Sequence, residues 1–159
     1  MLTRALFALV LMAALAALPR FQAFAAAPAG HISLAEADSP PAQAKVLGLG
    51  ITVHEVTQEE LEKGSALPLP RFNSPAVAYA WVANLKKGDV VEIALVNGDS
   101  PLLHTTETLA DDQASYLLQA GKRGVPAGGW PEGTYHAEVK VTRDGKPLIE
   151  QSTKPFAFE

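Results

Sequence analysis

The sequence contains no cysteine, and its only two methionines, Met1 and Met12, lie within the first dozen residues. The missing thiols exclude disulfide frameworks, cysteine nucleophiles, iron–sulfur clusters and cysteine-based zinc sites. A Met-rich copper(I) site is likewise excluded for everything after Met12. Charged residues make up only 19% of the chain, but apolar residues reach 48%, a balance typical of a globular rather than a disordered protein.

Long apolar runs are also scarce, and the one at the N-terminus predicts a cleaved signal peptide over residues 1–25. Arg4 provides a basic start, and the apolar run of residues 5–18 is shorter than the roughly 20 residues that cross a membrane. Small residues at 23–25 or at 25–27 suit a signal peptidase. The alternative is a short N-terminal membrane anchor.

Net charge limits the classes of partner. Cleavage after Ala25 removes Arg4 and Arg20, so 11 basic residues remain against 17 acidic ones and the net charge becomes −6. An acidic domain is a poor match for nucleic-acid phosphates or for an anionic membrane surface. We therefore expect a periplasmic or secreted protein that, once cleaved, is not an integral membrane protein and does not bind nucleic acid.

The remaining chain divides into a lead-in and a β-rich domain. Residues 26–47 are rich in Ala, Pro and Ser, which is typical of a flexible lead-in. From Gly48 onward the apolar period is mostly two, which predicts strands. Seven are expected, at Gly48–Val56, Ala76–Leu85, Val90–Val96, Leu102–Leu109, Ser115–Ala120, Thr134–Arg143 and Pro147–Phe158. Strand spacing of this kind predicts an all-β, antiparallel sandwich over residues 48–159.

Local signals refine this assignment. Thr57 and Glu60 have the spacing of a capping box, which predicts one helical turn. A helix over residues 110–118 is an alternative to the fifth strand. In the second strand Val77, Tyr79 and Trp81 share one face with Ala83 and Leu85. In the sixth strand Tyr135, Ala137, Val139 and Val141 share one face, the pattern of a half-buried antiparallel strand.

The C-terminal half contains a set of motifs in a fixed order: Gly129-Trp130-Pro131-Glu132-Gly133-Thr134-Tyr135, Val139-Lys140-Val141, Asp144-Gly145-Lys146 and Phe156-Ala157-Phe158. With these motifs, Ala76–Glu159 resembles bacterial immunoglobulin-like and fibronectin type III-like exported modules. The resemblance implies an immunoglobulin-like β-sandwich over residues 48–159, a tyrosine corner at Tyr135 and a core position for Trp81. The cysteine pair of true immunoglobulin domains is missing, which favours the type III-like or generic bacterial variant.

Patterns for catalysis or metal binding are weak. There is no G-x-S-x-G elbow and no P-loop. The G-x-G-x-x-G motif is also missing, because Gly48-Leu49-Gly50 lacks the third glycine and precedes a strand. The four histidines, His31, His54, His104 and His136, do not form a pair at metal-ligand spacing. We therefore predict no catalytic residues, no metal site and no cofactor.

One loop offers a candidate binding surface. Residues 121–131 contain Lys122, Arg123 and Trp130 in a Gly-rich setting. Trp130 suits a binding anchor, because indole gives a large contact area, but the tyrosine-corner resemblance favours a plug that closes the sandwich. The basic pair suits an anion, or is a solvated loop charge.

These observations predict a non-catalytic module that binds a protein or envelope partner through loops or a sheet edge. One alternative is an exported small-molecule or metal-binding protein, or a hydrolase, that uses His54, His104 or His136 with nearby acids. Another is a structural or chaperone-like accessory part of a larger envelope assembly.

Overall fold

The computed structural model of the protein describes residues 42–122 and 124–159. Within these residues, eight strands and one short helix follow one another. They are β1 (Lys45–Thr52), α1 (Gln58–Glu62), β2 (Ala76–Leu85), β3 (Val90–Asn97), β4 (Ser100–Thr108), β5 (Gln113–Lys122), β6 (Thr134–Arg143), β7 (Lys146–Ser152) and β8 (Phe156–Ala157). All of them belong to one unit, Ser39–Glu159.

The strands form two antiparallel sheets. Sheet A has the order β1-β2-β5, and sheet B has the order β4-β3-β6-β7, with the two-residue β8 also paired to β6. The predicted all-β antiparallel sandwich is confirmed. The predicted signal peptide and the lead-in up to residue 41 lie outside the described residues.

Three sequence predictions about individual elements need correction, and one is confirmed. The seventh strand, predicted at Pro147–Phe158, is two separate strands, β7 and β8. The first strand begins at Lys45 and ends at Thr52, so it starts three residues before the predicted Gly48. The helix considered over residues 110–118 is wrong, because Gln113 onward forms β5 against β2. The capping box is present: the Thr57 side chain accepts from the Glu60 N–H, and the Glu60 carboxylate accepts from the Thr57 N–H.

The core lies between the inner faces of the two sheets. In β6 the buried residues are Tyr135, Ala137, Val139 and Val141, as the alternation predicted. In β2 the inner face consists of Ala76, Ala78, Ala80 and Val82, with Leu85 turning inward after Asn84, whose φ is +60°. Burying these apolar faces contributes about 25 cal/mol for each Å² removed from water.

Trp81 differs from its predicted core position. It lies beside Tyr79 on the outer face of sheet A, half-buried, and its Nε1 donates to Ser115 Oγ at 2.6 Å. Residues after β1 cover part of this outer face, so β2 is apolar on both faces. A period of two cannot show which of two apolar faces points inward. In β2 the face made of small alanines is the one that forms the core.

Aromatic residues close one end of the sandwich. Trp130, Tyr135 and Phe158 pack together, with Tyr135 stacked on Phe158 at 3.8 Å between ring centres. The Tyr135 hydroxyl donates to the Pro131 carbonyl and accepts from Asn97 Nδ2. This is the geometry that the resemblance implies for a tyrosine corner.

We expect Tyr135→Phe to lower the free energy of unfolding by about 1 kcal/mol, because the ring stays buried and only the hydroxyl contacts are lost. Equilibrium urea unfolding of the wild type and the variant measures this difference. A variant as stable as the wild type would show that the corner hydrogen bond contributes nothing.

Candidate functional site: a cleft on sheet A

Of the three loop residues that the sequence singled out, Trp130 is the one whose side chain the structure describes. Trp130 is only 3% exposed, and its Nε1 donates to the Ser74 carbonyl at 2.7 Å. Its burial favours the plug interpretation over the anchor. Arg123 and the side chain of Lys122 lie outside the described residues. The role of the basic pair stays a prediction.

Three of the four histidines lie in the described part of the chain, one after β1 and two on the outer face of sheet B. His54 follows β1 and lies 3.4 Å from the Glu60 carboxylate. His104 and His136 lie on β4 and β6 of sheet B, with β3 between them. Among the described residues no three His, Cys, Asp or Glu side chains form a group able to hold a metal ion.

The outer face of sheet B is a shallow charged surface. A hollow of about 500 Å³ is lined there by charged side chains around Ala94. Two of these, Lys140 and Glu150, form an exposed ion pair at 3.0 Å. Exposed pairs of this kind contribute little to binding or stability in water. This face is a solvated charged surface rather than a shaped site.

The outer face of sheet A has a different character, because aromatic rings lie over glycines. Gly48 pairs with Trp81 and Gly50 pairs with Tyr79 across the β1–β2 ladder. The Tyr79 ring lies so close over Gly50 that a Cβ placed there would be 2.6 Å from the hydroxyl oxygen. At Gly48 the nearest atoms to such a Cβ would be Trp81 carbons at 3.7 Å. The two glycines therefore leave the edge strand flat beside the rings.

A cleft of about 470 Å³ opens over this glycine–aromatic floor, and we call it the sheet A cleft. It runs along β1, between the loop after α1 and the chain linking β7 to β8. Its apolar walls include Leu47 and Leu69, which are 43% and 63% exposed. Its lining is Leu47, Gly48, Gly50, Ile51, Leu61, Gly64, Ser65, Leu67, Leu69, Tyr79, Trp81, Thr153, Lys154 and Phe156.

Side-chain hydrogen bonds fasten the segment that forms one wall of the cleft. The Gln119 amide on β5 holds both backbone groups of Val56, accepting from its N–H at 2.8 Å and donating to its carbonyl at 3.0 Å. The Thr52 hydroxyl, which is fully buried, donates to the Pro68 carbonyl at 3.0 Å. The wall is therefore tied to sheet A at both ends, and the cleft is largely preformed.

The cleft has little charge. Among the described residues, Lys154 is the one charged residue in its lining. Burial raises the pKa of Tyr79 above its ordinary value of 10.0, so the phenol stays protonated at neutral pH and can donate a hydrogen bond. An apolar cleft with one hydroxyl and one ammonium is equipped to bind an amphipathic surface.

Sequence reasoning did not identify this site, although one signal was present. Gly48 and Gly50 have the same two-residue spacing as Tyr79 and Trp81. Two such patterns match when the strands are neighbours in the right register, and the pairing was not known from the sequence.

No protein-family model matches this sequence, and a search of curated proteins found no significant match. Within residues 42–122 and 124–159, no helix is long and apolar enough to cross a membrane.

Proposed function

We propose that this chain is a non-catalytic, exported binding module that recognises a partner protein or envelope component through the sheet A cleft. The observation that carries the proposal is the exposure of Leu47 and Leu69 on either side of an aromatic floor. Contiguous exposed apolar side chains with a polar margin are typical of interaction surfaces. The exported location follows from the predicted signal peptide.

Aromatic side chains within the cleft support a binding role. Rigid aromatic rings dominate the energetics of protein interfaces, because they bury a large area with little loss of side-chain freedom. Trp81 is held by its hydrogen bond to Ser115, and Tyr79 is held against Gly50. A partner would therefore meet a surface that needs little rearrangement.

We expect the double variant Leu47→Asp/Leu69→Asp to lose at least about ninety per cent of the captured partner, because carboxylates placed in the cleft must be desolvated on binding. Tagged mature protein is captured from crosslinked cell envelopes, and the co-purifying proteins are quantified by mass spectrometry.

Leu148→Asp is the matched control, since Leu148 is 44% exposed but lies on β7 of sheet B. It should capture the partner as well as the wild type does. Equal loss in both variants, or no loss in the cleft variant, would contradict the proposal.

A further inference from the structure

We propose that the partner contributes an extended segment that joins sheet A as an added strand on β1. Its alternate apolar side chains lie in the sheet A cleft, and a carboxylate faces Lys154. This inference rests on the proposed function and specifies its partner: an extended apolar peptide with an acidic residue.

β1 has a free edge. Among the described residues it pairs only with β2, and no backbone hydrogen bond outside that ladder involves Lys45–Thr52. Exposed edges are normally protected by charges or proline, as on β7 with Lys146 and Pro147. β1 carries only Lys45, at its first position. Its unpaired backbone groups can therefore accept another strand.

A β-bulge limits where that strand can pair. The register shifts between Val46 and Gly48, so Leu47 is an extra residue with no partner in the ladder. A bulge bends the strand and redirects the extra side chain. Regular pairing is therefore available along Gly48–Gly50, three residues or about 10 Å, because Ile51 and Thr52 beyond them are buried. The exposed Leu47 marks the end of this stretch.

The two glycines determine what the added strand would contact. Neighbouring strands lie about 4.8 Å apart, so a side chain on the added strand normally meets the side chain on the adjacent strand. Gly48 and Gly50 have none. Large apolar side chains of the partner, spaced two residues apart, can therefore reach across β1 to Trp81 and Tyr79. A lipid chain would use the apolar lining but not the strand edge, so the edge favours a peptide.

Charge gives the third element. Lys154 is exposed, is the only charged residue in the cleft lining, and forms no ion pair within the described residues. A carboxylate on the partner would complement it, and this specifies an acidic residue at one end of the apolar stretch.

A displayed library of random 12-residue peptides, selected on the wild-type protein and depleted on Leu47→Asp/Leu69→Asp, tests the inference. We expect enriched sequences with large apolar residues at i and i+2 and an Asp or Glu beside them. Apolar residues spaced three or four apart would indicate a bound helix. That result would overturn the added strand but leave the cleft as a docking site.

Backbone pairing is tested on one enriched peptide synthesised in two N-methylated forms, one blocking each edge of the strand. Strand addition predicts that one form binds at least tenfold more weakly while the other is unaffected. Equal binding of both forms overturns it. Lys154→Met should weaken the peptide several-fold, whereas Lys146→Met, an exposed lysine on sheet B, should not.

Dodecanoate serves as the lipid probe in the same assay. If dodecanoate binds the cleft, no cleft-dependent peptide is enriched and envelope capture does not depend on the cleft, both the inference and the proposed protein partner fail. If no peptide is enriched but envelope capture still depends on the cleft, only the added strand fails.

Discussion

Trp130→Ala is expected to lower the free energy of unfolding by about 3–5 kcal/mol, the range for truncating a buried aromatic residue. The indole fills the end of the sandwich with edge contacts to Tyr135 and Phe158, at 6.4 and 5.9 Å between ring centres. The substitution also leaves the Ser74 carbonyl without its indole donor. Equilibrium urea unfolding measures the loss.

Phe72→Ala is the control for this experiment. The Phe72 ring packs on Gly129 in the same region but is 45% exposed. Its removal should therefore lower the free energy of unfolding by less than half of the loss expected for Trp130→Ala. The anchor interpretation of Trp130 makes the opposite prediction: Trp130→Ala would keep its stability and lose partner binding. That result would contradict the role of Trp130 as the plug that closes the end of the sandwich.

Arg143→Met is expected to lower the free energy of unfolding by about 3 kcal/mol at neutral pH, because it removes one partner of a buried ion pair. Arg143 Nε and Nη2 donate to the two Asp89 oxygens at 2.7 and 2.8 Å, and the Asp89 side chain is fully buried. The value is at the low end of the range because 34% of the Arg143 side chain is exposed. Asp89 also accepts from the Lys86 N–H, which fixes the turn between β2 and β3.

The effect should depend on pH in a defined direction. The hydrogen bond from Arg143 holds the pKa of Asp89 below its ordinary value of 3.8, with a smaller contribution from the Lys86 N–H. A lowered carboxyl pKa stabilises the fold above the unfolded pKa, and this stabilisation is lost as the pH falls through the folded pKa. The difference between wild type and variant should therefore be large at pH 7 and shrink below about pH 3.8.

Lys140→Met provides the control, since it breaks the exposed Lys140–Glu150 pair on sheet B. Its unfolding free energy should stay close to that of the wild type at both pH values. A difference for Arg143→Met that does not change with pH would show that lost packing, rather than the Asp89 charge, causes the destabilisation.

The fold was largely predictable where one face of a strand is exposed to solvent. In β6 the polar residues His136, Glu138 and Lys140 alternate with the buried set, so the sequence identified the inward face. In β2 the sequence could not identify the inward face, because both faces are apolar. Tyr79 and Trp81 lie under the segment after β1, and the alanines form the core. The bulge at Leu47 likewise has no sequence signature, so the pairing of Lys45 and Val46 before it was not predicted.

The candidate site was not predictable from the chain alone. The cleft joins Leu47, Leu69, Trp81 and Lys154, which are far apart in sequence and meet only through the strand order. Trp130 was the more conspicuous residue, since it lies in a Gly-rich loop. That loop folds back so that Trp130 N donates to the Phe72 carbonyl, which brings the indole into the core. Aromatic content in a loop therefore did not indicate exposure.

The central claim, that the sheet A cleft is the docking surface, is tested most directly by a photo-crosslinking residue placed at position 69 in cells. Leu69 is the most exposed large apolar residue of the cleft, and Leu148, on sheet B, is the comparison position. We expect one dominant protein adduct from position 69 that is absent from position 148. The same set of adducts at both positions, or an adduct at 148 alone, would contradict the claim.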